Sequence, residues 1–164
     1  SYAVLIKFLL PDITLGTKGK TDYRSIYSAV CHELAHASHF SQVGTSYWDK
    51  YILYIMESFV TSGGMTYGNG SGDDAGYCEV GEMWAYYMES LMYKDRYGGG
   101  FPTYGTRYWF YPQIFRFLDE RGISPAQIFS VLDADVVSKE DLKTALILAY
   151  PDKRTIIDQV FSRY

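Results

Sequence analysis

Apolar residues change their spacing along this chain, and each change marks an element. Tyr2 to Leu10 is continuously apolar apart from Lys7, a strand pattern ended by Pro11-Asp12. Ile13-Thr14-Leu15-Gly16 reads as a short return or edge strand, followed by a turn at Lys18-Gly19-Lys20. The period then becomes helical. Ile26, Tyr27, Val30, Leu34 and Ala37 recur at intervals of three and four, predicting a helix over about 22–41. Thr21 or Asp22 can cap its start, and Gly44 ends it. That apolar stripe is expected to be the buried face.

A second amphipathic helix spans Trp48 to Val60 and stops at Ser62-Gly63-Gly64. Residues 62–76 are rich in glycine and form the longest stretch without a periodic pattern. Cys78 to Tyr93 is helical again, with Val80, Met83, Trp84, Tyr87 and Leu91 suited to a core. A glycine-rich turn follows at Tyr97-Gly98-Gly99-Gly100. The last third is helical with clear punctuation: Pro112 opens a helix from Gln113 to Arg121, ended by Gly122. Ser124-Pro125 is an N-cap followed by proline at the first helical position. Ser138-Lys139-Glu140-Asp141 resembles a capping box with Asp as its last member and starts a helix that stops before Pro151. A final helix covers about 152–162. The pattern predicts an α+β chain, mostly α, with one or two N-terminal strands and a C-terminal helical part. One domain over 1–164 accounts for its length.

Composition narrows the partners. The net charge of −4 offers no basic surface for nucleic acid. No apolar run reaches the roughly 20 residues of a membrane-spanning helix. The chain opens abruptly on Ser1-Tyr2-Ala3-Val4, and this start reads as that of a C-terminal piece of a longer precursor. Seventeen tyrosines and abundant glycine fit an extracytoplasmic protein, expected to be a monomer. The two cysteines, Cys31 and Cys78, read as buried free thiols, with a disulfide or metal ligation as the alternatives.

Chemistry concentrates in His32-Glu33-Leu34-Ala35-His36, which fits H-E-x-x-H. Residues four apart on a helix stand one above the other, so His32 and His36 can aim ring nitrogens at one zinc ion. Glu33 lies about 100° round the helix from His32, placed to handle a proton of water without ligating. Zinc lowers the pKa of a bound water to roughly 7, which makes Glu33 the candidate general base.

A catalytic zinc takes three protein ligands. His39 lies on nearly the same face, but its seven-residue offset from His32 amounts to about 10 Å along the axis. One straight helix cannot supply all three, so His39 is expected beside the site or on the helix surface. No later histidine exists, and a carboxylate must complete the set. Glu79, Glu82 and Glu89 share one face of the downstream helix, Gly81 and Ala85 permit a close helix approach, and Glu57 is a weaker candidate.

With its downstream Glu82-Met83-Trp84-Ala85-Tyr86, the stretch 21–95 resembles the catalytic core of a zincin-type metallopeptidase of the gluzincin group. The Glu-x-x-Ala step resembles that of the lethal-factor-like branch. The resemblance implies Glu82 as third ligand, with Glu79 orienting a histidine; Glu89 reads as an ordinary helix-surface charge. It implies a strand along the cleft, for which Tyr2 to Leu10 or Ile13 to Gly16 is available. It also implies an oxyanion-stabilising tyrosine shortly before the ligand glutamate. Tyr77 stands near that place, at a spacing that departs from the family's, and Tyr67, Tyr86 and Tyr104 are rivals.

The expected function is therefore zinc-dependent hydrolysis of a peptide or protein substrate, with His32, His36 and Glu82 on the metal and Glu33 and Tyr77 catalytic. The alternative is a catalytically silent zincin-like module that binds peptide or glycan. The intact Glu33 argues against it, because a binding protein needs no general base.

Overall fold

The computed structural model of the chain describes residues 22–99 and 108–164. Helix α1 covers Tyr23–Val43. Asp22 starts it with an extended backbone, and its Oδ1 accepts the backbone N–H groups of Arg24 at 2.9 Å and Ser25 at 3.0 Å. That satisfies donors the first turn would otherwise leave orphaned. Gly44 ends the helix at φ +80°, its N–H bonded to Phe40 O, and α2 (Thr45–Thr61) starts on the next residue. Only glycine holds that φ without strain, so Gly44 is what folds α2 back beside α1.

Helix α3 (Ala75–Tyr97) is the centre of the molecule and packs against α1, α2 and the C-terminal helices. Residues 80–87 are buried on every side, as expected for a helix enclosed by others. The C-terminal part is α4 (Gln113–Asp119), α5 (Pro125–Phe129), α6 (Lys139–Ala149), a 3-10 turn at Pro151–Lys153 and α7 (Arg154–Phe161). Ser124 and Ser138 are N-caps as predicted, but the reciprocal box forms at the first of them. Ser124 and Gln127 form a reciprocal capping box, and the Ser138 hydroxyl accepts the N–H of Asp141. Phe110, Phe115, Leu118, Ile123, Leu132, Leu142 and Ile157 are fully buried. Each contributes about 1.5–3 kcal/mol of apolar burial.

The fold class differs from the α+β expectation. Helix makes up 70 % of the described residues and strand about 1 %, with no sheet among them. Strand pairing among them is reduced to an isolated bridge at Phe110. The segments Tyr2 to Leu10 and Ile13 to Gly16, read as strands, lie outside the described residues.

The buried face of α1 also differs from the predicted stripe. Ile26 is 44 % exposed and Leu34 52 %, while Ser28, Ala29, Cys31, Ala35, His39 and Val43 are buried. Small side chains face α3 because two helices approach closely only where their contact residues are small. The pair runs antiparallel. Tyr27 OH at the start of α1 bonds to Met92 O near the end of α3, whereas His39 stands beside Gly81.

Residues 62–74 form a series of turns fixed to α2. Tyr54 OH donates to Tyr67 O at 3.0 Å and accepts Gly70 N–H at 3.2 Å, and Trp109 Nε1 donates to the same carbonyl at 2.8 Å. No helix among the described residues is long and apolar enough to cross a membrane.

Candidate metal centre

The inward face of α1 carries His32 and His36 one turn apart, and antiparallel α3 sets Glu82 opposite them. His32 Nε2 and His36 Nε2 lie 3.1 Å apart. Glu82 Oε2 is 3.5 Å from His32 Nε2, and Glu82 Oε1 is 3.4 Å from His36 Nε2. The three residues form a group that can hold a metal ion. A tetrahedral ion with bonds of 2.0–2.1 Å separates its ligands by about 3.3–3.4 Å, and each Glu82 oxygen stands near that spacing from one of the two histidines.

Burial supports the same reading. The Glu82 side chain is 1 % exposed, and its Oε2 has no hydrogen-bond partner. A buried charged oxygen without a donor is costly unless a cation faces it. Burial alone would raise the Glu82 carboxyl; the His36 and His32 imidazoles beside it outweigh this and hold the group below the usual carboxylate range. Burial would lower the His32 imidazole, yet the Glu82 and Glu89 carboxylates beside it outweigh this and raise it to about 9.

Two groups behind the ligands hold them in place. Glu89 Oε2 stands 3.1 Å from His32 Nδ1, and Ser28 Oγ donates to the other oxygen of Glu89. With Nδ1 as donor, His32 keeps Nε2 free for a metal, the usual outer partnership of a ligating histidine. Tyr51 on α2 donates its hydroxyl to Glu82 Oε1. Glu89 is therefore a buried partner of the site and not the surface charge expected for it.

Glu79 does not take the orienting role. It accepts a backbone hydrogen bond from Lys139 at the start of α6, and burial raises its carboxyl. Glu57 is exposed on α2. His39 is fully buried, with its ring 5.0 Å from Tyr47 and 6.0 Å from Trp48, and neither nitrogen has a hydrogen bond. It is neither a surface residue nor a member of the ligand group. Cys31 and Cys78 are buried free thiols, as expected, and outside that group.

Glu33 is partly exposed on the next helical position after His32. Tyr77 packs its ring 4.8 Å from Tyr47. Five residues before Glu82, it points about 140° away from the ligand face, so the structure does not bring it to the site. Tyr86 lies against His32, ring to ring at 4.6 Å. Tyr67 packs on Tyr108 and Phe110; burial and then the charge of Glu82 push its hydroxyl far above the ordinary tyrosine range. Tyr104 lies outside the described residues.

Compared with known proteins, the chain matches no family model, no curated protein and no solved structure.

Proposed function

We propose that this chain is a zinc-dependent peptidase of the gluzincin type, acting on a peptide or protein substrate. The observation that carries the reading is the convergence of His32 Nε2, His36 Nε2 and the buried Glu82 carboxylate across α1 and α3; Glu33 is the residue that follows His32 on α1. Two imidazoles and one carboxylate are a donor set that suits zinc and leaves a fourth position open. When bound, zinc makes a water acidic near neutral pH and polarises a carbonyl.

The chain's own residues do the rest. Glu33 takes a proton from the attacking water on its carboxylate and delivers it to the leaving amine nitrogen. Tyr67 replaces Tyr77 as the proposed oxyanion donor: its ring packs on Phe110, which stacks on the Tyr86 ring that lies against His32, and burial followed by the Glu82 charge holds its hydroxyl protonated. Glu89 and Ser28 keep the His32 ring in the orientation that presents Nε2.

The test is Glu33→Gln. The variant should bind one equivalent of zinc like the parent and cleave an unstructured protein such as casein about 10²–10⁴-fold more slowly. Cleavage at the parental rate removes Glu33 from the mechanism. Zinc binding without cleavage by either protein leaves a binding module.

A further inference from the structure

Glu82 and Tyr51 form a buried pair that no helical pattern announces. Tyr51 is 6 % exposed, and its ring is clamped from several sides. Trp48 packs at 4.4 Å between centroids and His36 edges it at 5.9 Å. From α3, Gly81 completes the slot. A Cβ there would stand 3.2 Å from Tyr51 Cε2 and 3.4 Å from Cδ2, so glycine is what allows the ring to lie against α3 beside the ligand. Packing therefore sets where the hydroxyl is. It donates to Glu82 Oε1, which also stands 3.4 Å from His36 Nε2, while Oε2, 3.5 Å from His32 Nε2, has no hydrogen bond.

We infer that Tyr51 is a positioning residue which occupies Glu82 Oε1 and so makes Glu82 a one-oxygen ligand through Oε2. The inference rests on the metal reading of the site. A phenol donor on a carboxylate is a charge-assisted bond, shorter and stronger than a neutral one. It draws electron density from Oε1 and takes up one of its lone pairs, which biases Glu82 toward binding through Oε2. An ion held by His32, His36 and Glu82 would then have one carboxylate oxygen as donor and keep a position for water, the condition a hydrolytic site needs. Gly81-Glu82 then acts as a unit: the glycine admits the ring whose hydroxyl aims the next residue.

Tyr51→Phe keeps the ring and deletes the hydroxyl. Zinc affinity, read by competition with a chromogenic chelator, should weaken about 10–100-fold, the usual cost of losing an outer partner of a ligand. Cobalt(II) in place of zinc should show shifted visible absorption bands, because the carboxylate becomes free to bind through both oxygens. A role limited to packing would leave those bands unmoved. In a Glu82→Ala background, adding Tyr51→Phe should change zinc affinity less than two-fold, since the hydroxyl then has nothing to position. If wild type binds zinc and Tyr51→Phe matches it in affinity and cobalt spectrum, the inference falls alone. If wild type binds neither ion, the metal reading falls and takes the inference with it.

Discussion

Glu89 Oε2 faces His32 Nδ1 at 3.1 Å, joining two residues that stand 57 apart in the chain. The contact holds the ring with Nε2 toward His36 and Glu82. Glu89→Ala should weaken zinc binding about 10–100-fold in chelator competition, with Glu89→Gln, which retains an acceptor oxygen, losing less. In the metal-free protein the same change removes one of two carboxylates that offset burial of His32. Its imidazole should therefore titrate well below the parental value of about 9, as followed by NMR. An unchanged zinc affinity together with an unchanged titration would contradict the assigned contact.

Tyr67→Phe separates binding from chemistry. The hydroxyl is proposed to act only on developing charge, so kcat for peptide cleavage should fall about 10²–10³-fold while zinc affinity stays at the parental value. The phenylalanine ring keeps the packing on Tyr108 and Phe110, both within 5.2 Å between centroids. Loss of zinc in this variant would instead make Tyr67 a support for the metal centre.

The sequence carried the helix ends and the histidine pair, because both depend on local geometry. Asp22, Gly44, Ser124 and Ser138 act within a few residues of themselves, and the His32–His36 spacing follows from one turn of helix. The choice between Glu79 and Glu89 was not local. Relative to Glu82 they stand about 60° and 20° round the helix, so phase alone favoured Glu89. Their heights along α3 matter only once its direction is known. Antiparallel packing sets Glu89 level with Ser28 and His32 and sends Glu79 to Lys139. The inward face of α1 was misread for a related reason. Small residues mark a close helix contact, whereas the apolar stripe of Ile26 and Leu34 pointed elsewhere. Tyr51 belongs to neither pattern, since its role arises only where α2 meets Gly81.

Gly76 is fixed by a backbone neighbour. A Cβ at this position, in the first turn of α3, would lie 1.9 Å from Val137 O and 3.0 Å from Val137 C. Neither atom can move without shifting the segment that leads into α6. Gly76→Ala should destabilise the fold by about 3 kcal/mol or more, the upper range for overpacking, as a lower midpoint in urea. A midpoint equal to wild type would mean that the α3–α6 junction yields freely.

His39 makes stability depend on pH in a direction that can be worked out. Burial, with a smaller contribution from the charge of His36, lowers its pKa from the ordinary 6.5 to about 3. Both ring nitrogens lack hydrogen bonds, so nothing in the fold favours the protonated form. Between those two values the unfolded chain binds a proton that the folded chain refuses. Stability from this residue is therefore complete above pH 6.5 and drains away as pH falls toward 3, with a slope approaching about 1.4 kcal/mol per pH unit. His32 works in the opposite sense: its raised pKa gives stability that is present at low pH and lost as pH rises through about 9. Comparison of wild type with His39→Leu, both in excess chelator to remove metal linkage, cancels the His32 contribution and isolates that of His39. The difference in unfolding free energy should be flat above pH 7 and move steadily against wild type from pH 6 to 4.5. A difference that stays constant across that range would show that His39 accepts a proton in the folded state, and that its pocket is wetter than the surrounding Tyr47 and Trp48 rings imply.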